Sequence, residues 1–67
     1  MTNLKKIGRN IASCRQEKRL TQEDLAGLTE MDRSYLSEIE NGHKNLSVEM
    51  LLKIAKALRI APSKLID

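Results

Sequence analysis

The chain of 67 residues lacks several features that define large classes of protein. Its single cysteine cannot form a disulfide within the chain, and no Cys and His cluster predicts a structural metal. No apolar run approaches the roughly 20 residues that cross a bilayer. Residues 1–10 contain no apolar segment of the kind found in signal peptides. These absences predict a protein of the reducing cytoplasm, with no membrane partner.

Groups that perform catalysis are equally scarce. The chain has one His, one Cys and no acid–base pair at a spacing that predicts a catalytic site. We therefore expect no enzymatic activity, and no motif predicts a cofactor.

The small size of the chain limits its stability. We interpret residues 1–67 as a single domain, because a chain of this length buries only about 60% of its unfolded surface on folding. Without a disulfide or a metal, association with a second copy is the expected additional source of stability.

Charge is unevenly distributed along the chain. The formal net charge is +3, but residues 1–19 hold six basic residues and one acidic residue. Residues 20–42 hold one basic and six acidic residues, and residues 43–67 hold five basic and two acidic residues. A basic protein of this kind is a candidate for nucleic-acid binding. Any attraction to phosphate must come from the flanks, because the centre is net acidic.

The apolar periodicity and the capping residues predict an all-α protein with five helices. The predicted helices run from Thr2 or Asn3 to about Lys18, from Gln22 to a turn at Leu28–Met31, from Arg33 to about Glu40, from the Ser47 cap to about Leu58, and from Pro62 through Leu65 and Ile66. Thr21 and Asp24 have the spacing of a capping box. Asn41-Gly42 is a helix stop.

The faces of these helices predict which residues are buried. Leu4, Ile7, Ile11 and Cys14 form the inner stripe of the first helix. Lys5, Lys6, Arg9 and Arg15 are predicted to point away from that stripe, and Gly8 to permit a close helix approach. The predicted inner face of the second helix contains Leu25, Ala26, Leu28 and Thr29. Glu40 is assigned a structural role.

Two short helices with a tight turn, the second bearing an outward polar face, form a helix-turn-helix arrangement. The segments TQEDLA at 21–26, SYLSEIENG at 34–42 and LLKIAKAL at 51–58 make the pattern specific. Together they closely resemble the lambda-repressor-like (Cro/C1, XRE) family. DRSY at 32–35 and HKNLS at 43–47 look most like controller proteins of restriction–modification systems. The resemblance covers nearly the whole chain and implies a compact five-helix bundle that binds operator DNA as a symmetric dimer.

The resemblance also implies a set of DNA-contacting residues. Gln22 is expected to bind a phosphate, and Arg33 to read a base, with Ser34 and Tyr35 also touching DNA. Ser37 and Glu38 lie farther along the recognition helix, and Lys44 and Asn45 lie in the loop that meets the DNA backbone. An arginine at the start of a helix in the major groove can bind O6 and N7 of guanine, which supports the role of Arg33. Alternatives remain open: Arg33 can instead pair with Glu30 or Asp32, and Tyr35 can serve as packing.

Two departures from the family pattern affect turns. Glu30 stands where the family has a small or glycine-like residue, and a left-handed backbone there is costly for it. Arg59 stands where glycine often ends the fourth helix.

Spare apolar residues on the last two helices predict the dimer interface. The candidates are Met50, Ala57, Ile60, Leu65 and Ile66, unless they are ordinary core. A dimer would bind a palindromic operator in double-stranded DNA through the major groove, and block or recruit RNA polymerase. The alternative function is a protein-interaction module, such as an antitoxin-like or anti-repressor domain, whose acidic centre docks a basic protein.

Overall fold

The computed structural model describes residues 3–67, and this part of the chain contains helices and no strand. The five helices are α1 (Leu4–Glu17), α2 (Gln22–Thr29), α3 (Arg33–Glu40), α4 (Val48–Leu58) and α5 (Ser63–Ile66). The predicted all-α, five-helix architecture is confirmed. No helix within residues 3–67 is long and apolar enough to cross a membrane.

Side-chain caps begin the first four helices. The side chains of Asn3, Thr21, Asp32 and Ser47 each accept a hydrogen bond from a backbone N–H in the first turn. Of the two caps predicted for α1, the structure uses Asn3, and Thr2 lies outside the described residues. Thr21 and Asp24 form the predicted capping box, with hydrogen bonds in both directions. The backbone N–H of Thr21, and then its side chain, lower the pKa of Asp24.

The core lies where α1 crosses α3 and α2 meets α4. Its large side chains, each less than 2% exposed, are Ile11, Leu25, Leu36, Ile39, Ile54, Leu58 and Leu65. The side-chain amide of Asn10 holds α5 against α1 by donating to the backbone oxygens of Leu65 and Asp67, both at 3.0 Å.

The inner face predicted for α2 was partly wrong. Leu28 is 59% exposed, whereas Thr29 is 1% exposed. The helix continues through Thr29 instead of turning at Leu28. Because successive residues advance by about 100°, Leu25, Ala26 and Thr29 share the buried face, and Leu28 lies beyond its edge. The Thr29 hydroxyl donates to the Leu25 carbonyl at 2.8 Å, which satisfies its polar group inside the core.

Three helices end at a non-glycine residue in the left-handed region. Arg19, Glu30 and Arg59 have φ of 59°, 56° and 58°, so the strain expected at Glu30 is present. After each, the next residue donates to a carbonyl five positions back; Met31 N to Ala26 O, for example, measures 2.8 Å. This is the Schellman termination, which favours glycine at the left-handed position. The turns therefore form at an energetic cost.

Gly8 allows α1 to cross the end of α3 at very short range. A Cβ atom at this position would lie 2.3 Å from the Ile39 carbonyl oxygen and 2.5 Å from that of Glu40. Neither backbone oxygen can move aside without shifting α3, so only glycine fits. The predicted close approach at Gly8 is confirmed.

We expect Gly8→Ala to lower the free energy of unfolding by about 1–3 kcal/mol, the usual cost of forcing a methyl group into a filled space. Gly27→Ala is the matched control, because nothing lies within 4 Å of a Cβ built there. It should raise stability by about 0.5–1 kcal/mol through helix propensity alone. Urea unfolding followed by circular dichroism measures both. Equal effects of the two substitutions would contradict the close-approach interpretation.

Candidate nucleic-acid interface

The polar residues predicted to read DNA lie on the outside of α3. Arg33, Ser34 and Glu38 are exposed, and Ser37 is half-buried. The opposite face of the helix packs into the core through Leu36 and Ile39, which are 0% and 1% exposed. The helix therefore presents one polar face, which begins at its first residue.

Arg33, the first residue of α3, forms no ion pair in the described part of the chain. Within residues 3–67 no carboxylate lies within salt-bridge distance of its guanidinium. The two competing carboxylates have other partners. Asp32 accepts from the backbone N–H of Ser34 at 3.2 Å, and Glu30 lies 3.9 Å from the ammonium of Lys53. The donors of Arg33 are therefore available for an external acceptor.

A buried ion pair joins α1 to the end of α3. The Arg15 guanidinium donates to both carboxylate oxygens of Glu40, at 2.8 and 3.1 Å, and to the Leu20 carbonyl oxygen at 2.7 Å. Both residues are only 9% exposed. The structural role expected for Glu40 is correct, but Arg15 was wrongly predicted to point outward. Arg15 follows Ile11 by four residues and so shares its inward face.

The same carboxylate holds the predicted phosphate-binding residue. The side-chain amide of Gln22 donates to Glu40 at 2.9 Å. An amide carries two N–H donors, and this is the only side-chain hydrogen bond of Gln22 in the described part of the chain. Gln22 is thus fixed at the start of α2, beside the free backbone N–H groups that a helix start presents to anions.

The loop after α3 is tied back to that helix by two contacts. The Tyr35 hydroxyl donates to the Asn45 carbonyl oxygen at 3.3 Å, and the Lys44 ammonium lies 3.7 Å from Glu38. The Asn45 side chain accepts from the backbone N–H of Leu46 at 3.0 Å. The loop therefore lies along α3 and brings four predicted DNA-contacting residues close together.

The set predicted for the dimer interface needs one correction. Leu65 is 0% exposed because α5 turns it into the core, so it cannot contact a second copy. Ile66 is 38% exposed. Met50, Ala57 and Ile60 are half-buried against the core, and their role stays a prediction.

Two apolar residues of α4 outside the predicted interface set are also exposed. Val48 is 73% exposed and Leu52 is 49% exposed. They lie one turn apart on the same side of α4, and this four-residue spacing was the signal in the sequence that pointed to them.

Known proteins share this architecture. A family model described as "Helix-turn-helix" matches residues 11–65. The control protein C.BamHI of Bacillus amyloliquefaciens is 37% identical over 62 residues, which cover 91% of this chain and 76% of that protein.

Solved structures agree closely. The restriction-modification controller protein C.AhdI of Aeromonas hydrophila superposes with a TM-score of 0.89 at 44% identity, over 92% of this chain and 94% of that one. The controller protein C.Esp1396I was solved as a tetramer with its natural 35-base-pair operator. It gives a TM-score of 0.83 at 39% identity, over 92% of this chain and 82% of that one.

We expect Arg15→Met to lower the free energy of unfolding by about 3–5 kcal/mol, because Glu40 would remain buried without its cation. The double variant Arg15→Met/Glu40→Met should recover part of this loss, since it leaves no unpaired charge. Urea titrations of both variants and the wild type measure the difference. A single variant within about 1 kcal/mol of the wild type would show that the ion pair is not structural.

Proposed function

The chain belongs to the helix-turn-helix family of Cro/C1 (XRE) type, and on that premise we propose that it is a sequence-specific transcriptional regulator that binds a palindromic operator as a dimer. The observation that carries the proposal is the outward polar face of α3, with Arg33 exposed and unpaired at its first position. The relatives named above are control proteins of restriction–modification systems. We assign this chain the same role.

Base recognition centres on Arg33. The start of a recognition helix is the part that approaches the base edges in the major groove. A guanidinium there forms two hydrogen bonds with guanine, which discriminate against other bases by about 1–3 kcal/mol. Ser34 and Ser37 add short hydroxyl groups on the same face, and these reach bases or phosphates.

Backbone contacts flank the base reader on both sides. Gln22 and the start of α2 bind one phosphate through N–H groups. Lys44 and Asn45 bind the backbone beside α3, where Tyr35 fixes the loop through its hydrogen bond to the Asn45 carbonyl oxygen. Phosphate contacts on both sides fix the orientation in which Arg33 meets the bases.

The acidic composition of residues 20–42 does not oppose this assignment. Glu40 is buried against Arg15, Glu38 faces Lys44 and Glu30 faces Lys53. Asp24 and Asp32 are occupied as helix caps. Only Glu23, among the six acidic residues, has no polar side-chain or capping contact in the described structure. Five of the six carboxylates thus already have a partner within the fold, which disfavours a module that docks a basic protein through them.

The exposed pair Val48 and Leu52 on α4 forms the centre of the proposed dimer surface. Two apolar side chains on adjacent turns bury well against a two-fold copy of themselves. Dimerisation places two recognition helices about 34–36 Å apart, one turn of DNA.

Operator occupancy then controls transcription. A dimer that covers the promoter excludes RNA polymerase, and a dimer bound just upstream recruits it. Because dimerisation depends on concentration, weak association makes occupancy rise steeply as protein accumulates.

Arg33→Ala should weaken binding to the cognate duplex by about 1–3 kcal/mol and relax preference at one base position. Lys44→Ala is the comparison, because loss of a phosphate contact should weaken all sequences alike and reduce the salt slope by about 1. The cognate duplex is obtained by selection from a random library, and affinities are measured by mobility shift at several salt concentrations. Similar behaviour of the two variants would remove Arg33 from base recognition.

Leu52→Ser should shift the protein toward monomer and lower its affinity for the selected palindrome, because an apolar contact repeated by symmetry is lost twice. Leu28→Ser is the matched control, since this exposed leucine lies on α2, away from the proposed surface. Sedimentation velocity gives the association state, and mobility shift gives the affinity. A dimer unaffected by Leu52→Ser, yet lost with Leu28→Ser, would place the interface elsewhere.

A further inference from the structure

A groove lies between the carboxyl-terminal ends of α1, α2 and α4. It contains two adjoining cavities, of about 270 and 360 Å³, which share Leu28 and Ala57 in their linings. Leu20 and Leu58 line the first cavity as well. Leu28 contributes most of the exposed apolar surface, since 59% of it is open to solvent. We call this feature the α2–α4 groove.

The rim of the α2–α4 groove is strongly basic. Lys18 and Arg59 line one cavity, and Lys53 and Lys56 line the other. The carboxylate beside this rim is that of Glu30, 3.9 Å from the ammonium of Lys53. Lys18, Lys56 and Arg59 form no ion pair with any residue in 3–67. Four cations facing one carboxylate leave a surplus of positive charge around an apolar floor.

The groove is separate from the proposed dimer contact at Val48 and Leu52, although Ala57, which the sequence analysis assigned to the dimer interface, lies in the groove. Ala57 lies about 140° around α4 from Leu52, at 100° per residue. One flat partner surface therefore cannot cover both the groove and the proposed dimer contact. None of the residues proposed to touch DNA lines either cavity.

We propose that the α2–α4 groove docks an acidic amphipathic helix of a partner protein. The apolar side chains of such a helix would occupy the two cavities, and its carboxylates would face the four rim cations. Cavities of this size are at or below the lower end of the range for small-molecule pockets, about 300–1,000 Å³, but they suit single side chains. Nucleic acid would match the rim but would leave the apolar floor uncovered. The inference does not rest on operator binding.

A designed peptide tests the groove directly. The probe is a fluorescein-labelled helix of about 18 residues, roughly 27 Å long, with leucines along one face and glutamates elsewhere. A second peptide has the same composition with the leucines spread around the helix. Fluorescence anisotropy measures the affinity of the full chain for each. We expect the amphipathic peptide to bind and the scattered one to bind at least about tenfold more weakly, because only the first can fill the cavities.

Two charge-reversal variants separate the groove from general attraction. Lys53→Glu/Lys56→Glu and Lys6→Glu/Lys64→Glu each lower the net charge by four, from +3 to −1. The first variant should lower the affinity for the amphipathic peptide about tenfold or more, because its two lysines line a cavity. The second should lower that affinity less than about threefold, because its lysines line neither cavity. Leu28→Ser should also weaken binding, by about fivefold, through the loss of apolar contact. Circular dichroism confirms that each variant is folded.

Four outcomes of the binding measurements would overturn the proposal. They are no binding of the amphipathic peptide at about 50 mM salt, equal binding of the scattered peptide, equal effects of the two charge reversals, and release of the peptide by excess random-sequence duplex DNA. The last would place the peptide on the nucleic-acid surface. If Leu28→Ser dissociates the protein into monomers in sedimentation, a second copy is the occupant and the partner-helix proposal is wrong.

Discussion

The position of the recognition helix depends on the buried ion pair between Arg15 and Glu40. Its geometry, with two guanidinium–carboxylate hydrogen bonds and a third to the Leu20 carbonyl oxygen, compensates the loss of hydration that both charges suffer. The carboxylate also accepts from Gln22, so one side chain connects α1, the start of α2 and the end of α3. Gly8 brings the same two backbones together two turns earlier on α1. The ion pair and the close approach at Gly8 therefore hold α3 against α1 with its polar face outward.

Local chemistry made the helices predictable, whereas contacts between distant residues did not show in the sequence. The caps at Thr21, Asp32 and Ser47 follow from neighbours within four residues, and the strain at Glu30 was expected from the departure from the family pattern. The orientation of Arg15 was predicted wrongly because a charged residue at the edge of an apolar stripe normally points to solvent. Its partner, Glu40, is 25 positions away in the sequence. The outward residues of α3 were predicted correctly as a face.

The connections within that face were not predictable. The contacts from Glu38 to Lys44 and from Tyr35 to the Asn45 carbonyl depend on how a loop folds back over a helix, and periodicity says nothing about that. Leu65 was misassigned for a similar reason. An apolar residue near the end of a chain looks available for an interface until the packing of α5 against α1, fixed here by Asn10, is known.

Two of the strained left-handed helix ends, at Glu30 and Arg59, carry charged side chains beside the α2–α4 groove. A non-glycine residue in this conformation carries a cost of about 1 kcal/mol that glycine would avoid, and Arg59 carries it at φ 58°. A glycine in place of Arg59 would also remove a cation from the rim of the α2–α4 groove. Glu30, strained in the same way, neutralises part of Lys53 on the other side. At Arg59 the strained residue therefore adds a cation to the groove, whereas at Glu30 it lowers the positive charge there. In a domain with so small a core, the strain at each turn is a sizeable fraction of total stability.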